Sequence, residues 1–244
     1  MKIVRPIIDS IAVERLRVQT LGVLSEGTGR ASDETKRALD AGVDRAVECA
    51  CPRGEYVSSS IVEILPGGVE TADGFIASPM FARIAGRARG EVRTMFALAT
   101  LGEALDEELR RARSLLETFV LDAVASELAE IVADMVEEAW KNEASLARRE
   151  GSLRMSPGYC DWPLLGQDVI FTALDASEIG VRLTPSYLMV PSKSVSSAAV
   201  VASHVPLLAP CVTCRKAECP FRRMPFDALA TGADPESTAT KEQG

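Results

Sequence analysis

The chain of 244 residues carries a formal net charge of −8 at pH 7, so it lacks the basic footprint with which proteins bind nucleic acids or anionic membrane surfaces. Apolar residues make up 47% of it and charged residues 25%, as in a globular protein with a sizeable core. The sequence has no apolar run of about 18 residues, the length of a membrane span, and no cleavage site of a secretory signal. We therefore expect a cytoplasmic protein without nucleic-acid or membrane partners.

The first hundred residues are predicted to alternate helices with short strands. Ser32 precedes the acidic pair Asp33 and Glu34, a pattern typical of a helix N-terminus. Ser78 stands before Pro79, and proline is favoured at the first position of a helix. The predicted elements are helices over 9–21, 33–49 and 79–87 and strands over 56–64, 69–71 and 92–99.

A long helical region is predicted over 106–148, as one helix or two. Apolar side chains recur there at a spacing near 3.6 residues and mark a core-facing stripe: Leu116, Phe119, Val120, Ala123, Val124, Leu128, Ile131, Met135 and Trp140. The opposite face carries five acidic residues: Glu127, Glu130, Asp134, Glu137 and Glu138. We expect three of these five acids to be solvated surface groups.

The motif Arg-x-x-x-Gly-Tyr, formed by Arg154, Gly158 and Tyr159, is the first chemical signal. The planar donor fork of an arginine suits a carboxylate. A glycine in a Pro-Gly turn allows a ligand to approach the backbone, and a tyrosine offers an apolar ring with a polar tip. The residues suit a ligand with an amino-acid end and a ring system. The alternative is a surface arginine before a tight turn with a half-buried tyrosine.

The remaining elements indicate an α+β fold, because strands and helices do not alternate regularly. They are a helix over 167–174 and strands near 181–183, 187–190 and 195–202. Small, polar residues with proline and glycine predict a disordered tail over 227–244. The predicted single domain spans 1–226, with a helical N-terminal part, a loop and sheet part over about 150–205 and a Cys-rich loop over 211–222.

A second run, GVRLTPSYLMVPSKSVS over 180–196, follows the first motif after about 25 residues. The two together resemble the activation domain of cobalamin-dependent methionine synthase, whose loop precedes a Leu-Thr-x-Ser-aromatic-x-Met-x-Pro-x-x-Ser-Val-Ser run. The close match covers roughly a fifth of the chain. The resemblance implies helices around a mainly antiparallel sheet, and a loop that binds S-adenosylmethionine (AdoMet) through Arg154, Gly158 and Tyr159.

The same resemblance assigns a role to Glu130. The family's helix before the loop presents Leu-Ala-Glu, whose carboxylate lines the AdoMet site, and Leu128-Ala129-Glu130 occupies that place. Glu130 is thus expected to face the ammonium or sulfonium of AdoMet, with a solvated surface acid as the alternative. The sequence departs from the family after Tyr159, where Cys-Asp-Trp-Pro stands in place of the family's usual histidine.

The function implied by the resemblance is that of a stand-alone activation protein. AdoMet, with one electron from a flavodoxin or ferredoxin-type donor, would remethylate an oxidised cobalamin. The cobalamin would be carried by a separate corrinoid protein or cobalamin-dependent methyltransferase, because 244 residues cannot hold the other methionine synthase modules. Two alternatives are a non-catalytic module that senses AdoMet or binds a corrinoid protein, and an iron–sulfur or zinc protein on the same fold. Whether the chain is itself an enzyme is left open.

A cysteine cluster near the C-terminus is the second chemical signal. Cys211, Cys214 and Cys219 form C-x2-C-x4-C, and thiolates in one loop suit an iron–sulfur cluster or zinc. Cys160 is the best candidate for the fourth ligand, and Cys49 and Cys51 are the next. A site of three cysteines with an open position is a further alternative. We favour iron–sulfur over zinc because structural zinc sites have four closed ligands. The alternative is a set of reduced thiols.

Overall fold

The computed structural model describes residues 1–25, 32–206 and 225. The strands are β1 (Lys2–Val4), β2 (Arg53–Leu65), β3 (Gly68–Thr71), β4 (Gly74–Ile76), β5 (Arg93–Thr100), β6 (Glu150–Gly151), β7 (Arg182–Leu183), β8 (Met189–Val190) and β9 (Ser194–Ala202). The helices are α1 (Ser10–Ser25), α2 (Asp33–Cys49), α3 (Pro79–Arg87), α4 (Glu103–Arg111), α5 (Leu115–Leu146) and α6 (Gln167–Ala173). Two short 3-10 helices span Leu164–Gly166 and Ala176–Ile179.

Seven of the strands form one antiparallel sheet in the order β4-β3-β2-β5-β9-β6, with β1 paired to the first half of β2. Strands β7 and β8 form a separate pair. The long strand β2 pairs with β5 over its first half and with β3 over its second half. This architecture confirms the predicted α+β class with helices around a mainly antiparallel sheet.

Two different layers cover the two faces of the sheet, because successive side chains of a strand point to opposite sides. Met95, Ala97 and Ala99 of β5 pack into a core with α1, α2 and α5. Phe96 and Leu98 of the same strand pack into a second core with α3, α6 and the segment before α6. Strand β5 is therefore buried on both faces.

Helix α5 lies close against the sheet. A Cβ atom added to Gly54 of β2 would lie 2.2 Å from Cγ2 of Val136, so only a glycine fits beneath the helix there. Leu128, Ile131 and Trp140 of α5 are fully buried in the same layer. The position of α5 relative to the sheet is thus tightly constrained, which matters because α5 carries the acidic residues described below.

The predicted helix termini at Ser32 and Ser78 are confirmed. The hydroxyl of Ser32 accepts a hydrogen bond of 3.1 Å from the amide of Thr35, and that of Ser78 accepts one of 3.0 Å from the amide of Phe81. The region predicted over 106–148 is two helices, α4 and α5. No helix in the described parts of the chain is long and apolar enough to cross a membrane.

One predicted core residue of α5 is exposed, which corrects the stripe drawn from the sequence. Phe119 lies at the surface because it shares its helix face with Asp122 and Ser126, three and seven residues on. Lys193 covers that face with hydrogen bonds to both of these side chains. The predicted Cys-rich loop over 211–222 and the tail over 227–244 lie outside the described residues, so the predicted domain limits stay a prediction.

Candidate functional site

The segment that follows β6 runs along the edge strand and places Arg154 on the helical side of the sheet. The amide of Met155 donates to the carbonyl of Ala198 at 2.8 Å, and the amide of Ala198 donates back at 2.8 Å. Met155 is buried in the core with α3 and α6. Its neighbour Arg154 points the other way, as alternation in extended backbone requires, and reaches α5.

Arg154 bonds with three carboxylates of α5. Its Nη2 donates to Oε2 of Glu130 at 2.6 Å, and its Nη1 donates to Oε2 of Glu137 at 2.6 Å and to Asp134. The three acids are four and three residues apart and therefore share one face of the helix. The motif arginine and the predicted Glu130 are thus in direct contact.

Two further cations complete this acidic cluster. Arg15 of α1 forms an ion pair with Asp134, and Lys141 lies 2.5 Å from Glu137 one helical turn further along α5. Among the residues that the structure describes, three carboxylates thus contact three cations. We use the name Arg154 cluster for Arg154, Glu130, Asp134, Glu137, Arg15 and Lys141.

The charges in the cluster hold one another in the ionised state. Burial by itself raises the pKa of Asp134, but hydrogen bonds and attraction from Arg15 and Arg154 outweigh it and lower the pKa below its usual value. Burial likewise opposes the charge on Arg154, yet its interactions with Asp134 and Glu137 raise the net pKa above that of an ordinary arginine. Both groups are charged at neutral pH.

The loop that follows Arg154 presents Tyr159 and Cys160 at the protein surface. Gly158 has φ of +90°, a conformation that favours glycine, and its amide donates to the carbonyl of Trp162 at 2.8 Å. Trp162 is buried, and its ring centroid lies 6.3 Å from that of Phe81. Because Trp162 anchors the turn from below, the half-exposed Tyr159 is held at the tip.

The second motif, residues 180–196, holds the far end of this loop. The hydroxyl of Ser196 donates to Oε1 of Gln167, the first residue of α6, at 2.7 Å. Ser192 bonds with Asp106 of α4 at 2.7 Å through its hydroxyl. The two sequence motifs thus belong to one structural unit built on β9, α4, α5 and α6.

The predicted metal site is not tested. Cys211, Cys214 and Cys219 lie outside the described residues, whereas Cys160 is exposed at the loop tip. Within residues 1–25, 32–206 and 225, no group of three or more His, Cys, Asp or Glu side chains has the arrangement of a metal site. The iron–sulfur or zinc hypothesis therefore still depends on the cysteine spacing alone.

Sequence reasoning underestimated the acidic face of α5. The expectation that three of its five acids are merely solvated is wrong, because Glu130, Asp134 and Glu137 all bond with Arg154. Their spacing of four and three residues was a usable signal for a shared cation partner. The contribution of Arg15 had no such signal, because it lies 119 residues from Asp134.

The comparisons with known proteins agree with this architecture. Residues 87–205 match the family described as vitamin B12-dependent methionine synthase, activation domain. Among solved structures, the chain is similar to the MetH reactivation domain bound to AdoHcy, with a TM-score of 0.59 and 16% sequence identity over 86% of this chain and 80% of that one. No curated protein sequence matches the chain. Residues 87–205, which contain α5, the Arg154 motif and β9, are thus similar to the activation domain of vitamin B12-dependent methionine synthase.

Proposed function

We propose that the protein binds AdoMet beside the Arg154 cluster and uses it to remethylate a cobalamin carried by another protein. The main support for the proposal is the hydrogen bond between Arg154 and Glu130. This contact lies at the base of the loop that contains Gly158 and Tyr159. These four residues are the ones that the family resemblance assigns to an AdoMet site. A solved structure of similar fold is described as bound to AdoHcy, the product that remains when AdoMet loses its methyl group.

The chemistry of the cluster fits such a ligand. AdoMet carries a positive sulfonium and a positive ammonium, and half-exposed carboxylates of the cluster would attract both. Gly158 has no side chain to keep a ligand from the loop backbone, and the half-exposed ring of Tyr159 offers a flat apolar surface to an adenine or ribose.

In this reaction AdoMet would supply the methyl group, and the work of this chain would be to bind and orient it. Arg154 and Asp134 keep their charges at neutral pH, so they hold the ligand's surroundings in a fixed electrostatic state rather than exchange protons. Holding a reactive group in a productive orientation is itself a large contribution to rate.

The partners are part of the proposal. A corrinoid protein or cobalamin-dependent methyltransferase would bring the cobalamin, and a flavodoxin or ferredoxin-type protein would bring the electron. The match of residues 87–205 to the activation domain of a vitamin B12-dependent enzyme supports a cobalamin-carrying partner. The proposal of a flavodoxin or ferredoxin-type donor depends on the sequence resemblance. So does the proposal that the cobalamin is carried by a separate chain.

Calorimetric titration with AdoMet tests the binding step. We expect saturable binding by the wild type, weaker binding by about tenfold in Glu130→Gln, which removes one charge from the site, and unchanged binding in Glu138→Gln. Glu138 is an exposed acid on the same helix and serves as the matched control. Equal binding by the two variants would refute the placement of the site.

The methyl-transfer step needs a second assay. The protein, AdoMet, a reductant and a cobalamin-carrying methyltransferase are mixed, and methylcobalamin formation is followed by absorbance. Formation that depends on the protein supports the proposed activity. AdoMet binding without any such formation would favour the non-catalytic binding module.

A further inference from the structure

An arginine-rich corner lies where α3 and α5 end and β5 begins. We propose that this corner is a docking surface for a partner protein that presents an acidic patch. We use the name arginine corner for Arg87, Arg89, Arg93, Arg148 and Arg149. It contains no member of the Arg154 cluster, so the inference goes beyond the proposed function and does not depend on it.

Contacts between distant segments bring these arginines together. The side chain of Glu91 forms ion pairs with Arg149 at 2.5 Å and with Arg93 at 3.2 Å. The backbone amide of Arg89 donates to the carbonyl of His204, just past the end of β9, at 2.9 Å. The α5–β6 turn, the start of β5 and the end of β9 therefore meet at one place on the surface.

The charge of the corner is opposite to that of the rest of the protein. Five arginines against the neighbouring Glu91 and Glu150 give the corner a net charge of +3, so the remainder of the chain, whose total is −8, carries −11. A positive patch on an otherwise acidic protein attracts negative groups to that patch and repels them elsewhere. The charge distribution thus directs an acidic partner to this surface.

The corner combines fixed and open cations. The guanidinium of Arg93 donates to the hydroxyls of Ser58 at 2.7 Å and Ser60 at 3.0 Å, besides its ion pair with Glu91. The exposed Arg87, Arg89 and Arg148 form no ion pair within the described parts of the chain. Fixed arginines lose little conformational freedom on binding, and the open ones have donors ready for a partner.

Arg148 occupies a backbone position that usually belongs to glycine. Its φ is +54°, its amide donates to the carbonyl of Ser145 at 2.9 Å, and the amide of Arg149 donates to that of Ala144 at 2.9 Å. These two bonds form the Schellman turn that ends many helices, in which glycine is preferred at the left-handed residue. The sequence thus has an exposed cation where a glycine would suit the turn better.

The chemistry of the corner favours carboxylates on a compact protein. The planar guanidinium pairs with a carboxylate through two parallel hydrogen bonds. Nucleic acid carries charge along its whole length, so it would extend beyond the corner and meet the acidic remainder of the surface. An acidic patch on a folded partner meets the corner alone, and such complementary patches steer association.

Binding of a fluorescein-labelled oligoglutamate peptide, followed by fluorescence anisotropy at low ionic strength, tests the proposal. The wild type is compared with the variant Arg87→Gln/Arg89→Gln/Arg148→Gln. The control is Arg5→Gln/Arg37→Gln/Arg110→Gln, which removes the same charge from exposed positions elsewhere. We expect binding about tenfold weaker in the corner variant and within about threefold of the wild type in the control. Equal weakening in both variants, or no binding by the wild type, would overturn the proposal.

Arg148→Gly provides a second test that serves if the triple variant does not fold. Glycine suits the Schellman turn, so we expect a Tm no lower than that of the wild type, together with peptide binding weaker by about threefold. Unchanged peptide binding in this folded variant would contradict the proposal. Binding of a DNA oligonucleotide by a wild type that does not bind oligoglutamate would make the partner a nucleic acid and overturn it as well.

Discussion

The hydroxyl of Ser78 donates a hydrogen bond of 2.6 Å to the carboxylate of Asp161, although the two residues lie 83 positions apart. The other oxygen of Asp161 accepts a bond of 2.7 Å from the amide of Met80 in the first turn of α3. A carboxylate at that position satisfies donors that a helix N-terminus leaves unpaired. The loop of the candidate site is thereby fastened to a second helix, in addition to its contact with α5.

Replacing Asp161 by alanine should therefore both destabilise the protein and loosen the loop. We expect a loss of about 1–2 kcal/mol in the free energy of unfolding, typical of a lost helix cap, measured by urea denaturation. Weaker AdoMet binding should accompany it. Asp161→Asn keeps one acceptor oxygen and should lose less, and equal effects of the two substitutions would contradict the assigned role.

Replacement by alanine should lower the stability of the protein at Gly166 and raise it at Gly86. A Cβ atom added to Gly166 would lie 2.0 Å from Nε1 of the buried Trp162, so Gly166→Ala should destabilise the protein by about 1–3 kcal/mol. Gly86 lies within α3, and its added Cβ would come no closer than 3.9 Å to Ile64. Gly86→Ala should stabilise it by about 0.5–1 kcal/mol. Thermal denaturation of both variants is the measurement. A destabilised Gly86→Ala would show that the free space around Gly86 does not decide the effect of the added methyl group.

Glu55 of β2 should make stability depend on pH. Its side chain is buried, and neither carboxylate oxygen has a hydrogen-bond partner among the described residues. Burial, with smaller repulsion from Asp175 and Glu178, raises the pKa of Glu55 to about 7, against a slight lowering by the chain's amino terminus. Because the folded state binds this proton more tightly than the unfolded state does, the contribution of Glu55 becomes less favourable as pH rises from about 4.5 to 7.

Glu55→Gln should accordingly stabilise the protein more at pH 8 than at pH 5. We expect a gain of about 1–3 kcal/mol at pH 8, because glutamine removes the cost of holding an ionised carboxylate at this buried site. Denaturation at both pH values is the measurement. Glu63→Gln, at an exposed position of the same strand, is the control and should show no such difference. A gain that does not change with pH would mean that Glu55 does not titrate in this range.

The cysteine cluster yields a prediction from the sequence alone. Protein purified without oxygen should contain a metal, for which we favour iron over zinc. Cys211→Ser should remove that metal. Glu138→Gln, at an exposed position without a thiol, should leave the metal content as in the wild type. Elemental analysis is the measurement, and the absence of metal from the wild type would remove the iron–sulfur hypothesis.

Elements with strong local signals were predictable from the sequence. Capping by Ser32 and Ser78 involves residues three positions away, so a short window contains the whole interaction. Strands β1 and β4 have three residues each, which is too short for an alternating pattern to stand out. They exist because β2 and β3 offer them backbone partners.

The arrangement of the candidate site was not predictable from the sequence. The resemblance drew attention to Arg154 and Glu130, which are in contact, and their role in binding stays a prediction. It gave no sign that two further acids share the guanidinium, or that Asp161 fastens the loop to α3. Such contacts depend on how α5, the loop and α3 pack around the sheet, and pairings between distant residues leave no periodic trace in a single sequence.

The flanks of the loop are both bonded to one strand, Met155 to Ala198 and Gln167 to Ser196. A protease nick at the exposed Cys160 would therefore leave each new end attached to β9, and the two pieces would stay together. For the same reason, added residues at this position would extend outward without altering strand pairing. Related sequences can thus change length at this tip without breaking the bonds that attach the loop to β9.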